Sequence, residues 1–433
     1  MVKSTTPKPV PFHEAFRFWI KLGWISFGGP TGQIAVMHSE LVEKKQWISE
    51  PRFLHALNYC MLLPGPEAQQ LAIYIGWLLH GTAGGIVAGS FFVIPAILIL
   101  WMLSYIYVAF GQVFWISSVF YGLKGAVAAI VAAAVLRIGR RALRNEVMWL
   151  IAAGSFVAIY FFKAPFPFII LAAGAFGFAG GTLLPAKFSA AAEPEADADP
   201  IDAAEPARPS LARAIRVIAV SLAVWWLPLW LAGKVTGWDH AVFRQAVFFS
   251  KAAMVTFGGA YAVLPYVAQQ AVEKYHWLQA GQMMDGLGLA ETTPGPLIMV
   301  VQFVGFLGAW NQPGHLSKPW AAALGALVST WATFTPSFLW IFLGAPYIER
   351  LRRIRPLISA LSGVTAAVVG VVLNLGVWFA IHTLFPRAGT FDWFLVALSA
   401  ACFAVLTRWK WDVIPVVFSS GLAGLLFKLI AGA

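Results

Sequence analysis

"FGGPTGQIAVMHSELVEKKQWI", Phe27 to Ile48, returns 230 residues later as "FGGAYAVLPYVAQQAVEKYHWL", Phe257 to Leu278. Phe-Gly-Gly recurs, then Val-Glu-Lys, then Trp. Working outward without a gap, Lys21 matches Lys251, and Pro64-Gly65-Pro66 matches Pro294-Gly295-Pro296. Further on, "LKGAVAAIVAAAV" from Leu123 resembles "LSGVTAAVVGVVL" from Leu361. One short match arises by chance. This order and spacing do not, so the chain reads as two homologous halves.

Those halves are apolar. Of 433 residues, 60% are hydrophobic and 11% charged, with mean hydropathy +0.75. No Asp, Glu, Lys or Arg occurs between 81 and 123, where a bilayer-crossing helix needs about 20 apolar residues. The fold class is therefore all-α and polytopic, in the lipid bilayer. The start, "MVKSTTPKPVPFHEAF", lacks the apolar core of a signal peptide. Cys60 and Cys402 lie in apolar context and are expected to be packing thiols rather than a disulfide. The net charge of +11 fits basic cytoplasmic loops better than a nucleic-acid partner.

Between the halves, "SAAAEPEADADPIDAAEPARPS" from Ser189 to Ser210 holds six of the nineteen acids and few large apolar groups. That composition is expected of a disordered tether. The chain divides into a first repeat over 1–185, an acidic Ala/Pro-rich linker over 186–210, an extra helix over 211–240 and a second repeat over 241–433.

Charge sets the expected orientation. The helix near 113–136 is followed by Arg137, Arg140, Arg141 and Arg144. The matching helix near 357–380 is preceded by Arg350, Arg352, Arg353 and Arg355. If both clusters are cytoplasmic, the two helices run in opposite directions and the repeats are inverted. Spans near 147–163 and 165–184, then one near 211–232, supply the odd crossing this needs. Inverted repeats with broken helices are a secondary-transporter architecture, with the substrate at the repeat interface.

Each half opens with four short helical stretches. Residues 12–27 and 30–45 join at Phe27-Gly28-Gly29-Pro30, and residues 50–63 and 66–80 join at Pro64-Gly65-Pro66. These read as re-entrant hairpins with mid-membrane breaks, the alternative being kinked full spans. Irregular backbone at that depth must line a cavity or be buried in protein. Helix starts expose unpaired N–H groups and a positive dipole end, which suits an anion. The expected binding set is Ser26, Gly28, Gly29, Gln33, Gly65 and Gln69 with Thr256, Gly258, Gly259, Thr292, Thr293 and Gly295. Lys21, Lys251, Glu67, Asp285 and Glu291 are the candidate charge-balancing or coupling groups. Lys21 and Lys251 also suit snorkelling to the interface, Glu67 suits a helix cap, and Glu291 suits a structural carboxylate. Glu43-Lys44 and Glu273-Lys274 fit anchors at the membrane surface. Gly81, Gly85 and Gly89, four apart, suggest close helix packing.

Other chemistries find no footing. His13-Glu14 begins an HExxH motif, but position 17 is Arg17. There is no GxxxxGK[ST] nucleotide loop, the eight histidines show no metal spacing, and no nucleophile–base set is present. A cofactor and an enzymatic role are not expected.

The stretches "FGGPTGQIAVMHSELVEKKQWIS", "LLPGPEAQQLAIYIGWLLHGTAGGIVAGSFFVIP" and "GLAETTPGPLIMVVQFVGF" closely resemble the chromate ion transporter family in its long, two-domain form. The resemblance covers both repeats but not the linker. It implies export of chromate across the inner membrane and chromate resistance, with sulfate as a close analogue. The family's motif positions fall on Phe27, Gly28, Gly29, Pro64, Gly65, Pro66, Phe257, Gly258, Gly259, Thr292, Thr293, Pro294, Gly295 and Pro296. Leu62-Leu63 stands where the second half has Thr292-Thr293, so the site is expected to be asymmetric. The expected partners are a small oxyanion and the bilayer, and a homodimer is one arrangement the sequence leaves open.

Overall fold

A computed structural model describes residues 10–27, 29–188, 210–347, 355–385 and 391–431. Most of the linker, Gly28, and Arg350, Arg352 and Arg353 lie outside the described residues. Among the described residues the chain is all-helical, and seven helical stretches are long and apolar enough to cross a membrane. Cys60 and Cys402 are both buried and free.

The first half opens with α1 (Phe12–Ile25), α2 (Gly29–His38) and α3 (Glu50–Cys60). Next comes α4 (Glu67–Phe110), which at 44 residues would measure about 66 Å if straight, twice the hydrocarbon thickness. It is not straight. His80 and Gly81 leave helical geometry, Gly81 at φ +59°, and the chain reverses. Gln69 Nε2 then donates to the Gly89 carbonyl at 3.4 Å. A β-carbon on Gly85 would lie 3.1 Å from the Ile73 carbonyl oxygen. The arms 67–79 and 82–110 are thus antiparallel neighbours. Of the three glycines expected to pack, Gly85 and Gly89 receive the returning arm, whereas Gly81 makes the turn.

The half continues with α5 (Phe114–Ala142), α6 (Glu146–Tyr160), α7 (Phe166–Leu183) and the short α8 (Pro185–Phe188). After the linker, α9 (Leu211–Thr236) leads into α10 (Ala241–Met254), α11 (Ala260–Gln269), α12 (Ala280–Thr292) and α13 (Val300–Asn311). Then follow α14 (Lys318–Phe334), α15 (Pro336–Gly344), α16 (Arg355–Leu384), α17 (Trp393–Arg408) and α18 (Val413–Ala431).

The short helices fold back in pairs. Phe18 on α1 meets Trp47 edge-on at 5.1 Å, and Phe248 on α10 meets Trp277 at 5.6 Å. Tyr59 on α3 lies 5.6 Å from Tyr74 on the first arm of α4. Asn311, at the end of α13, donates to the Trp277 carbonyl at 2.8 Å. Each pair is therefore a hairpin whose tip is the break. Backbone detail recurs at the 230-residue offset. A π-helical turn closes α2 at Ser39–Lys44 and α11 at Gln270–Lys274. Left-handed residues follow at Gln46 (φ +52°) and His276 (φ +50°).

Large helices pack around the hairpins. Along α5 from Val131 to Gly139, the neighbours on α16 run backwards from Gly376 to Val369, so α5 and α16 are antiparallel. Trp19, Phe92, Phe249, Trp277 and Phe303 are among the largest fully buried side chains, and in lipid it is their close packing that holds the helices together. Helix α9 is the least buried of the long helices, with Leu211, Ile215 and Leu227 more than half exposed. That is how a span facing lipid tails is built.

Candidate functional site at the helix breaks

Four hairpin tips converge, and two hydrogen bonds tie them across the halves. The Gly65 N–H donates to the Thr256 carbonyl at 2.8 Å, and the Gly295 N–H donates to the Ser26 carbonyl at 2.8 Å. The ties are offset-matched, each half giving one donor and one acceptor. Each tie needs a glycine: Gly65 at φ +127° and Gly295 at φ +102° occupy backbone that a side chain strains. The Ser26 and Thr256 hydroxyls donate to carbonyls four residues back, Leu22 and Ala252, at 2.7 Å each, closing the ends of α1 and α10.

Both ties are reinforced by side chains, and both of those come from the first half. The Gln33 amide donates to the Gly295 carbonyl, and Gln70 Nε2 donates to the Pro64 carbonyl at 2.8 Å. The positions matching these glutamines are Val263 and Val300. The Ser337 hydroxyl is buried without a partner, 3.3 Å from where a β-carbon on Gly65 would sit.

The Phe-Gly-Gly breaks are open by comparison. A β-carbon on Gly29 would meet nothing within 4 Å, and one on Gly259 would meet only Glu67 Oε1, at 3.9 Å. On Gly258 it would just touch Val368, at 3.9 Å. Glu67, at the start of α4, thus reaches across to the second half. Tyr261, in the first turn of α11, donates its hydroxyl to Glu291 Oε1 at 2.5 Å. Arg137 on α5 acts electrostatically on this pair, and Arg141, one turn on, acts on Glu67.

The predicted set divides. Ser26, Gly29, Gly65, Thr256, Gly258, Gly259, Gly295, Gln33, Glu67 and Glu291 come together at the tips, while Gly28 lies outside the described residues. Gly65, Gly295 and Gln33 have their donors engaged in tying the tips. Thr292 and Thr293 donate to Leu289 and Ala290 of their own helix, at 2.9 and 3.2 Å. Gln69 turns to Gly89 inside the α4 hairpin. Lys21 is exposed and pairs with Glu40 at 3.4 Å, and Lys251 is exposed too. Both lysines sit at the surface rather than at the tips. Asp285 is buried about one and a half turns before Glu291, bonded to Tyr107 at 2.8 Å. Sequence reasoning passed over Tyr261, Tyr107, Lys124 and Ser337. Of these, Lys124 and Ser337 had visible signals, a lone cation inside an apolar helix and the Thr335-Pro336 step inside an apolar run.

The donors left for a ligand are the backbone N–H groups at the starts of α2, α4 and α11, plus the Ser337 hydroxyl. Among the described residues no three His, Cys, Asp or Glu side chains gather as a metal site. Two cavities lie elsewhere. One of about 520 Å³ is lined by His276, Gln279 and Asn311, and one of about 340 Å³ by Lys163, Gln269 and Asn374.

Long apolar helices packed around paired broken hairpins define an all-α, polytopic membrane protein. The sequence profile of the chromate transporter family matches residues 13–178 and 243–425, and the chain belongs to that family. It is 31% identical to the chromate transport protein of Pseudomonas aeruginosa over 436 residues, covering 98% of this chain and 94% of that one. It is also 31% identical to the chromate transport protein of Cupriavidus metallidurans, over 82% of this chain and 79% of that one. The uncharacterized transporter YwrA of Bacillus subtilis is 30% identical over 35% of this chain but 88% of its own length. No solved structure matches the chain significantly.

Proposed function

We propose that the protein is a secondary transporter that exports chromate, a tetrahedral oxyanion, across the inner membrane, and that it confers chromate resistance. The observation that carries this reading is the open backbone at Gly29, Gly258 and Gly259, beside helix starts whose N–H groups favour an anion. Family membership supports the substrate class. The dianion is held where the hairpin tips meet, between the two halves.

The halves are inverted in this reading. The antiparallel course of α5 and α16 supports it, as do the exposed Arg137, Arg140, Arg141 and Arg144 at the end of α5. Both Arg clusters then face the cytoplasm, and α9 supplies the odd crossing. Glu291 is the coupling group: it takes a proton when the anion is bound and releases it when the site is empty, so that like charges do not meet in the membrane.

Radiolabelled chromate uptake into everted vesicles tests the transport reading, with sulfate as competitor and an uncoupler added. Protein-dependent uptake that collapses with the uncoupler is expected. Uptake equal to that of vesicles lacking the protein sinks it, and full inhibition by equimolar sulfate turns the reading towards a general oxyanion permease.

A further inference from the structure

Helix α12 carries a second buried carboxylate, away from the tips. Asp285 is 4% exposed. Its Oδ2 accepts the Tyr107 hydroxyl at 2.8 Å, and its Oδ1 is buried without a partner. Tyr107 is held edge-on by Phe120 and Phe303, so its hydroxyl is fixed in place.

Lys124 comes alongside from α5. Its Nζ lies 3.3 Å from where a β-carbon on Gly281 would sit. Gly281 precedes Asp285 by one helical turn and shares its face. Lys124 is half-buried and is the basic group that acts on Asp285. Yet among the described residues Lys124 makes no hydrogen bond or ion pair. An intramembrane cation facing an intramembrane anion, each with bonding capacity unused, is a costly arrangement unless a ligand exploits it. Neither residue is repeated: His55 stands at the position matching Asp285, and Ser362 at the position matching Lys124.

We infer that Lys124 is a second oxyanion station, on the side of the tips where α12 begins, and that Asp285 is its built-in competitor. The inference rests on the oxyanion-carrier reading above. An arriving dianion takes the Lys124 ammonium, which offers three donors. When the dianion leaves, the Lys124 side chain closes on Asp285, an ion pair the two do not make in the structure, so that two acceptors compete for one ammonium. Such a station binds strongly enough to fill and weakly enough to empty, as a conduction path requires. With the Arg cluster cytoplasmic, it lies on the extracytoplasmic half of the path.

Competitor and station predict opposite effects on affinity. The test is chromate and sulfate counterflow by purified protein in proteoliposomes, measured as half-saturating concentration. Lys124→Gln should raise it at least threefold, Lys124→Arg should restore it, and Asp285→Asn should lower it at least threefold. Asn still accepts the Tyr107 hydroxyl, so the fold is kept. Should Asp285→Asn nonetheless fail to accumulate, the Gln and Arg variants at position 124 still decide. Wild-type affinity in Lys124→Gln overturns the station, and shifts of the same sign in Lys124→Gln and Asp285→Asn overturn the competition. Absence of wild-type counterflow with either oxyanion overturns the carrier reading itself, a result distinct from both.

Discussion

The two kinds of helix break look alike in sequence and differ in space. At Pro64-Gly65-Pro66 and Pro294-Gly295-Pro296 the central glycine is packed: a β-carbon on Gly295 would sit 2.5 Å from Ala96 Cβ, and one on Gly65 would sit 2.7 Å from Gln70 Nε2. At Gly29 and Gly259 there is room. Both kinds hold glycine with positive φ. The Pro-Gly-Pro breaks are joints between the halves, whereas the Phe-Gly-Gly breaks are walls of an opening. Glycine serves two ends, and only the space around it tells which.

Substitutions should separate joints from walls. The largest effect is expected for Gly295→Val, which adds left-handed strain to a collision with Ala96, together roughly 2–5 kcal/mol. The amount of folded protein after detergent extraction should fall sharply; a wild-type amount breaks the contrast. Gly259→Ala carries only the strain, about 1–2 kcal/mol. It should insert in near-normal amount and lose at least tenfold in chromate uptake, and uptake at the wild-type rate removes that break from the site.

Glu291→Gln sharpens the wall side. Gln keeps the shape and still accepts the Tyr261 hydroxyl, so binding and exchange should persist while the response to a pH gradient is lost. Anion accumulation that still follows the gradient excludes Glu291 as the coupling group. Gln33→Leu tests a joint more gently. It leaves the Gly295 carbonyl without its side-chain donor, at about 1–3 kcal/mol, and should lower the melting temperature without altering half-saturation.

The smallest effect lies at the rim. Hydrogen bonding to Lys44, with Lys21 adding to it, holds the Glu40 carboxyl below its usual range. A lowered folded-state value stabilises above the ordinary carboxylate range and is lost as pH falls through the folded-state value. Glu40→Gln should flatten that acid limb by less than about 1 kcal/mol, read from melting temperatures between neutral and acid pH.

Helical class and the break positions were legible in sequence because hydropathy, Pro-Gly punctuation and a fixed offset are local or repeated signals. The stretch read as 66–80 ends where α4 reverses, at His80-Gly81, but the spacing of Gly81, Gly85 and Gly89 suggested packing for all three, since a regular interval does not tell a turn glycine from a contact glycine. What joins the tips was not legible. Gln33 meets Gly295 from 262 positions away, and Tyr107 meets Asp285 from 178; such pairings follow from how hairpins interlock. Lys21 carried two readings in sequence, a charge-balancing group and a snorkelling one, and its place in space fits the second. Its recurrence as Lys251 suggested a role at the centre, but the helix face it occupies is exposed.

The cross-half ties use no side chain. Gly65 to Thr256 and Gly295 to Ser26 are the same bond made twice, with the partners exchanged, which is the signature of an isologous contact between equal subunits. Two unlinked copies of a single repeat hold every group this contact requires, provided they meet in opposite orientations. A relative such as YwrA, only about one repeat long, has the length for that arrangement. Fusion into one chain would then have changed the stoichiometry and little else at the seam. A single chain also lets the two copies differ, as they do in having glutamines at Gln33 and Gln70 and threonines at Thr292 and Thr293, an asymmetry closed to two identical chains.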